Sequence, residues 1–111
     1  MQLEVRKHLY DIKESIDSIA EYLGENSSFE NYKLNKLLRR GIEREFEIIG
    51  EALNRILKKD SDIKISNARR IVDFRNLVIH GYDKVDDVII WGIIIKELPK
   101  LKLQIEKLLN T

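Results

Sequence analysis

The residues with the most chemical potential lie together in one stretch, Asp73-Phe74-Arg75-Asn76-Leu77-Val78-Ile79-His80-Gly81-Tyr82. The spacing predicts a helix that ends at Gly81. Asn76 and His80, four residues apart, then share one face, with Arg75 about 140° round from His80. Histidine titrates near neutrality, and at a helix C-terminus the partial negative charge of the backbone dipole favours its protonated form. These are the parts for attack on a phosphodiester without a metal. His80 would move protons, Arg75 would hold the charge of the developing phosphorane, and Asn76 would orient either one. Tyr82 follows just outside the helix.

Each of these residues also has a structural explanation. His80 could cap carbonyls at the end of its own helix. Arg75 could pair with Asp73 or with a glutamate of the second helix, and Tyr82 could form an aromatic lid over the helix end. His8 lacks a comparable set of polar neighbours and reads as a surface residue. One chain offers a single histidine at the site, whereas strand cleavage by acid–base chemistry needs a proton acceptor and a proton donor. A two-fold axis would bring two copies of Arg75 and His80 together and supply both roles.

The elements that must position these residues read as helices. Leu9, Ile12, Ile16, Ile19 and Leu23 fall at spacings of three and four, with Lys13, Glu14, Asp17 and Glu21 opposite, and Gly24 stops this first helix. Ser28 is placed to cap a second helix, whose stripe is Leu34, Leu38, Ile42, Phe46, Ile49, Leu53 and Ile56. Gly41 and Gly50 lie inside that helix, where each costs roughly 1 kcal/mol against alanine, so both point to close approach of a neighbour. Ser66 is the expected N-cap of the third helix. Asp86 or Asp87 would start a last helix, which Pro99 should kink or split.

The result is an all-α, up-and-down bundle of four or five helices in a single domain spanning residues 1–111. The composition agrees: 43% hydrophobic and 35% charged, with five glycines and one proline, excludes a disordered chain or a turn-rich β-sandwich. Absence of cysteine removes disulfides and thiolate metal sites, and no metal or cofactor is expected. Twenty basic residues against nineteen acidic ones give a net charge of +1, so any nucleic-acid binding must come from a local patch. Arg39, Arg40, Arg44, Arg69 and Arg70 are the candidates; the alternative is a solvated face paired with the surrounding glutamates. The longest apolar run, residues 88–95, is too short to span a bilayer, and a soluble cytoplasmic protein is expected. That run is apolar all round a helix, so either its own chain buries it or a second chain does.

Arg75-x4-His80-x-Tyr82, with Asn76 directly after the arginine, resembles the signature of the HEPN superfamily, and in this form its HepT branch. The segment Arg40-Gly41-Ile42-Glu43-Arg44-Glu45-Phe46-Glu47-Ile48-Ile49-Gly50-Glu51-Ala52 resembles the second helix of that branch. Residues 83–91 and Leu98-Pro99-x-Leu101-x-x-Gln104-Ile105 resemble its C-terminal part. The resemblance implies a HEPN bundle that forms a homodimer with its two motifs facing each other. It further implies the toxin of a type VII toxin–antitoxin pair, a metal-independent endoribonuclease acting on RNA. The partner would be an MntA-like minimal nucleotidyltransferase that silences the toxin by AMPylation of the motif tyrosine. Carried over, Arg75 and His80 are catalytic, Asn76 supports them, and Tyr82 is the modified residue. Two other readings compete: a non-catalytic module that binds a nucleotide or a nucleotidyltransferase, and a purely structural helical dimer.

Overall fold

The computed structural model describes the backbone of residues 1–80 and 87–110, and the side chains of 1–75 and 87–110. The frame is an antiparallel pair, α1 (Leu3–Leu23) against α3 (Lys36–Lys59). Val5, Leu9, Ile12, Ile16 and Ile19 of α1 meet Ile42, Phe46, Ile49, Leu53 and Ile56 of α3 in one buried cluster. Full burial of such side chains stabilises by roughly 1.5–3 kcal/mol each, which is why this three-four spacing decides the pairing. Gly24 ends α1 as expected: it adopts φ +71°, a conformation glycine takes without strain, and its N–H donates to the Ala20 carbonyl at 3.1 Å.

The expected second helix is two helices. Ser28 does cap the first of them, α2 (Phe29–Leu34), its Oγ accepting from the Asn31 N–H at 3.1 Å. Asn35 then breaks the rod. Its backbone is extended, and its side chain accepts from the Leu38 N–H at 3.0 Å to start α3. The break turns Leu34 out to 75% exposure and gives its expected core place to Tyr32.

The third helix, α4 (Ala68–His80), packs on α3 and begins differently from the reading above. Ser66 is not its cap. Its backbone N–H and hydroxyl are both engaged by the Gln104 side chain, at 3.1 and 2.9 Å, and Asn67 takes the left-handed conformation (φ +61°) that launches the helix. The expected stop at Gly81 lies outside the described residues.

The C-terminal rod comprises α5 (Asp87–Gly92), a π-helical turn (Ile93–Glu97) and α6 (Leu98–Leu109). Pro99 does not split it. The widened turn, in which the Leu98 N–H donates to Ile93, lets the helical path continue into a segment whose first turn holds the proline. Ile90, Ile94, Leu98, Leu101, Ile105 and Leu109 are its buried face. Arg6 at the start of α1 donates to the Leu109 carbonyl at 2.9 Å, and Lys102 pairs with Asp17 at 2.7 Å, fixing α6 to α1.

The described residues are thus all-α, with five helical rods if α5, the π turn and α6 count as one, and no strand among them. Among them, no helix is long and apolar enough to cross a membrane.

Candidate active site

The site is built where α4 crosses α3. Ile71 and Val72 of α4 are buried, and Phe74 stacks edge-on against Phe46 with ring centroids 6.0 Å apart, which fixes the rotation of α4 about its axis. The next residue, Arg75, is thereby laid directly over Gly50. A β-carbon at position 50 would overlap the first carbons of the Arg75 stem and stand 3.2 Å from its Cδ. At Gly41 a β-carbon would stand 3.5 Å from the Tyr22 ring, which is ordinary van der Waals contact. Of the two helical glycines expected to admit a neighbour, Gly50 bears the expectation out and Gly41 has room for a β-carbon.

Beyond Gly50 the Arg75 guanidinium donates through Nη2 to Oε2 of Glu51, and Arg55 donates through Nε to Oε1 of the same carboxylate at 2.9 Å. Arg75 is the more enclosed partner, its side chain 16% exposed against 44% for Glu51. The Arg55 hydrogen bond, reinforced by the charge of Arg75, holds the Glu51 carboxyl below the usual glutamate range. Of the partners foreseen for Arg75, a glutamate of the second helix is present, in Glu51. In the sequence Gly50 reads only as a place of close approach and Glu51 as one of several glutamates of its helix; their adjacency is the signal that joins them to the site.

Asn76 and His80 belong to the backbone of α4, one and five residues beyond Arg75. Their side chains, and Tyr82 altogether, lie outside the described residues, as does any contact among them. His8 differs from expectation. Its side chain is only 15% exposed, 4.0 Å from Asp11, in an open cleft of about 240 Å³ that also includes Glu47, Glu51 and Arg55. Packing of α1 on α3 encloses it, which a neighbour count along the sequence does not reveal.

The arginines considered for an RNA patch divide into two groups. Arg40 pairs with Glu43 at 3.1 Å and Arg44 with Glu47 at 3.0 Å, while Arg39 donates to the Lys33 carbonyl. Arg40 and Arg44 fulfil the solvated-face reading, whereas Arg39 is partly buried and held by a backbone carbonyl. Arg69 and Arg70 are exposed on α4 without an ion pair among the described residues. Arg70 borders a groove of about 580 Å³ between α4 and α5, floored by Ile71, Phe74 and Ile93.

Residues 12–108 match the family described as HepT-like, Ribonuclease HepT-like. This chain belongs to the HepT-like ribonuclease family. The resemblance drawn from the motif thus holds across nearly its whole length, and the helical bundle is that of a HepT-like HEPN protein. Among relatives, the Methanocaldococcus jannaschii protein named "Putative RNase MJ1380" is 33% identical over 105 residues, covering 93% of this chain and 94% of that protein. The Thermococcus cleftensis protein named "Probable ribonuclease HepT" is 32% identical, covering 97% of this chain and 98% of its own. The Caldanaerobacter subterraneus protein named "Putative RNase TTE0752" is 36% identical over 75% of each chain. No solved structure matches the chain.

Proposed function

We propose that this HepT-like protein is a metal-independent endoribonuclease, the toxin of a type VII pair, working as a homodimer with Arg75 and His80 as catalytic residues. The observation that carries the reading is the seating of Arg75. The motif arginine is a largely enclosed cation whose stem and head both rest on α3, the kind of pre-organisation that stabilisation of a developing oxyanion requires. In the reaction, one His80 takes the proton of a ribose 2′-hydroxyl, whose oxygen attacks the adjacent phosphorus. Arg75 stabilises the phosphorane. The P–O5′ bond breaks as the other His80 protonates the departing oxygen, leaving a 2′,3′-cyclic phosphate and a 5′-hydroxyl.

A dimer is supported by what the chain leaves uncovered. Val88 (65%), Ile89 (49%) and Ile95 (50%) of the apolar run are exposed, whereas Trp91 is half-buried against Tyr32 and Phe29. The α4–α5 groove beside the exposed pair carries Arg70 and Lys96 as well as Asp73 and Glu97. A patch with both signs of charge around an apolar floor is suited to meet its own copy across a two-fold axis.

Tyr82 is proposed as the site where an MntA-like nucleotidyltransferase attaches AMP and silences the toxin. Intact mass of the protein made alone and together with that enzyme, followed by peptide mapping, tests this directly: the adduct should map to Tyr82 and vanish in Tyr82→Phe. An adduct elsewhere sinks the assignment. The pairing of Arg75 with Glu51 favours one competing reading, in which the arginine is a structural ion-pair member of a non-catalytic module. Cleavage of RNA by the wild type and its loss in Arg75→Ala separates the two.

A further inference from the structure

The structure assigns to Glu51 the part of positioning residue for the reaction: its carboxylate, shared between Arg55 and Arg75, sets the plane in which Arg75 meets the phosphorane. This inference rests on the ribonuclease reading and deepens it. Three observations lead to it. Gly50 leaves room for the Arg75 stem to lie flat on α3, which brings the guanidinium beside the next residue of that helix. The two oxygens of Glu51 are divided, Oε1 to Arg55 and Oε2 to Arg75, so neither arginine alone decides where the carboxylate points. Arg55 also stands one helical turn along from Glu51, a spacing that favours one glutamate rotamer from within its own helix. The chain of constraint therefore runs from the α3 backbone through Arg55 and Glu51 to Arg75.

A guanidinium is a planar fork, and its value to an oxyanion depends on the orientation of that plane. Held along one edge by a rigid carboxylate, the fork presents its geometry before substrate arrives. Released from Glu51, it keeps its charge but loses that edge of its constraint. The loss should fall on the transition state, where a displacement of an ångström costs up to about a hundredfold, and spare ground-state binding. Glutamine at position 51 has the same shape but one acceptor oxygen. In the observed rotamer that oxygen replaces either the acceptor of Arg55 or that of Arg75, and the amide NH2 faces the other guanidinium.

The test uses the full chain with a fluorophore-labelled single-stranded RNA and, in parallel, the NMR order parameter of the Arg75 Nε–Hε bond. Glu51→Gln should lower kcat by about ten- to a hundredfold with KM changed less than about twofold, leave helicity at the wild-type level, and lower the order parameter. Adding Arg55→Ala leaves the single amide oxygen to Arg75 and should restore part of both kcat and order, whereas a glutamate needed only for packing predicts a further loss. Wild-type kcat or an unchanged order parameter in Glu51→Gln overturns the assignment, provided that Arg75→Ala is inactive in the same assay. If the wild type itself fails to cut RNA, it is the ribonuclease reading that falls, and the order parameter alone decides whether Glu51 holds Arg75.

Discussion

Arg75 lies on Gly50 so closely that the two helices carrying them could not meet as they do if position 50 bore a β-carbon. The contact makes a sharp contrast with Gly41, where a β-carbon would stand at ordinary van der Waals distance, 3.5 Å, from the Tyr22 ring. Alanine gains about 1 kcal/mol over glycine inside a helix, and overpacking costs about 1–3 kcal/mol. Gly41→Ala should therefore raise the melting temperature, and Gly50→Ala should lower it or displace α4 and with it RNA cleavage. Thermal unfolding of both variants checks the signs; a stabilised, fully active Gly50→Ala contradicts the close approach.

Arg75→Ala and His80→Ala should each reduce cleavage by about a hundredfold or more, the usual loss when a charge-stabilising or proton-transferring group is removed. Arg75→Ala leaves Glu51 paired with Arg55, so no charge is stranded and the fold should persist. Cleavage should continue in EDTA and fail on DNA, which lacks the 2′-hydroxyl. Circular dichroism beside the activity assay distinguishes lost chemistry from lost structure. Activity abolished by EDTA would overturn the mechanism.

Val88→Asp should convert a dimer to a monomer while leaving the monomer's fold alone, since a side chain 65% exposed contributes little to its own core. Light scattering at micromolar concentration reads the outcome. A wild-type monomer, or a dimer indifferent to the charge, would place the interface elsewhere or remove it.

The pH response of the Glu51 network has a definite sign. Its carboxyl is held below the usual range, first by the Arg55 hydrogen bond, so the stabilisation is present above the unfolded-state pKa of about 4.3 and is lost as pH falls through the lower folded value. Carbon NMR of the Glu51 carboxyl should show a titration midpoint below that of an unstructured glutamate. In Arg55→Ala the midpoint should move up; a midpoint already at the ordinary value in the wild type would mean that neither arginine is engaged in solution.

The helical frame was legible because α1 and α3 keep their apolar residues on one three-four stripe, a signal local to each helix. Caps were legible where they act within a few residues, as at Ser28 and Gly24. Asn35 was missed because Leu34 continues the apolar spacing, and only the competition of the asparagine side chain with the helix breaks it there. Ser66 was misread because its partner, Gln104, is 38 residues away. The same limit left open which glutamate of the second helix would pair with Arg75. A motif shows which residues could react, whereas the carboxylate that holds Arg75 belongs to another helix and is found only when α3 and α4 are packed.

The bond from Arg6 to the Leu109 carbonyl joins residues 103 apart in the chain, while α1 and α3 are separated only by the segment that holds α2. Its consequence is kinetic. Closing a longer loop costs more chain entropy, so α6 should dock on α1 after the α1–α3 pair has formed, on the native side of the folding barrier. Arg6→Ala should then accelerate unfolding and leave the refolding rate almost unchanged, a split that stopped-flow measurements in denaturant resolve. Slowed refolding in that variant would mean that the last helix already belongs to the nucleus.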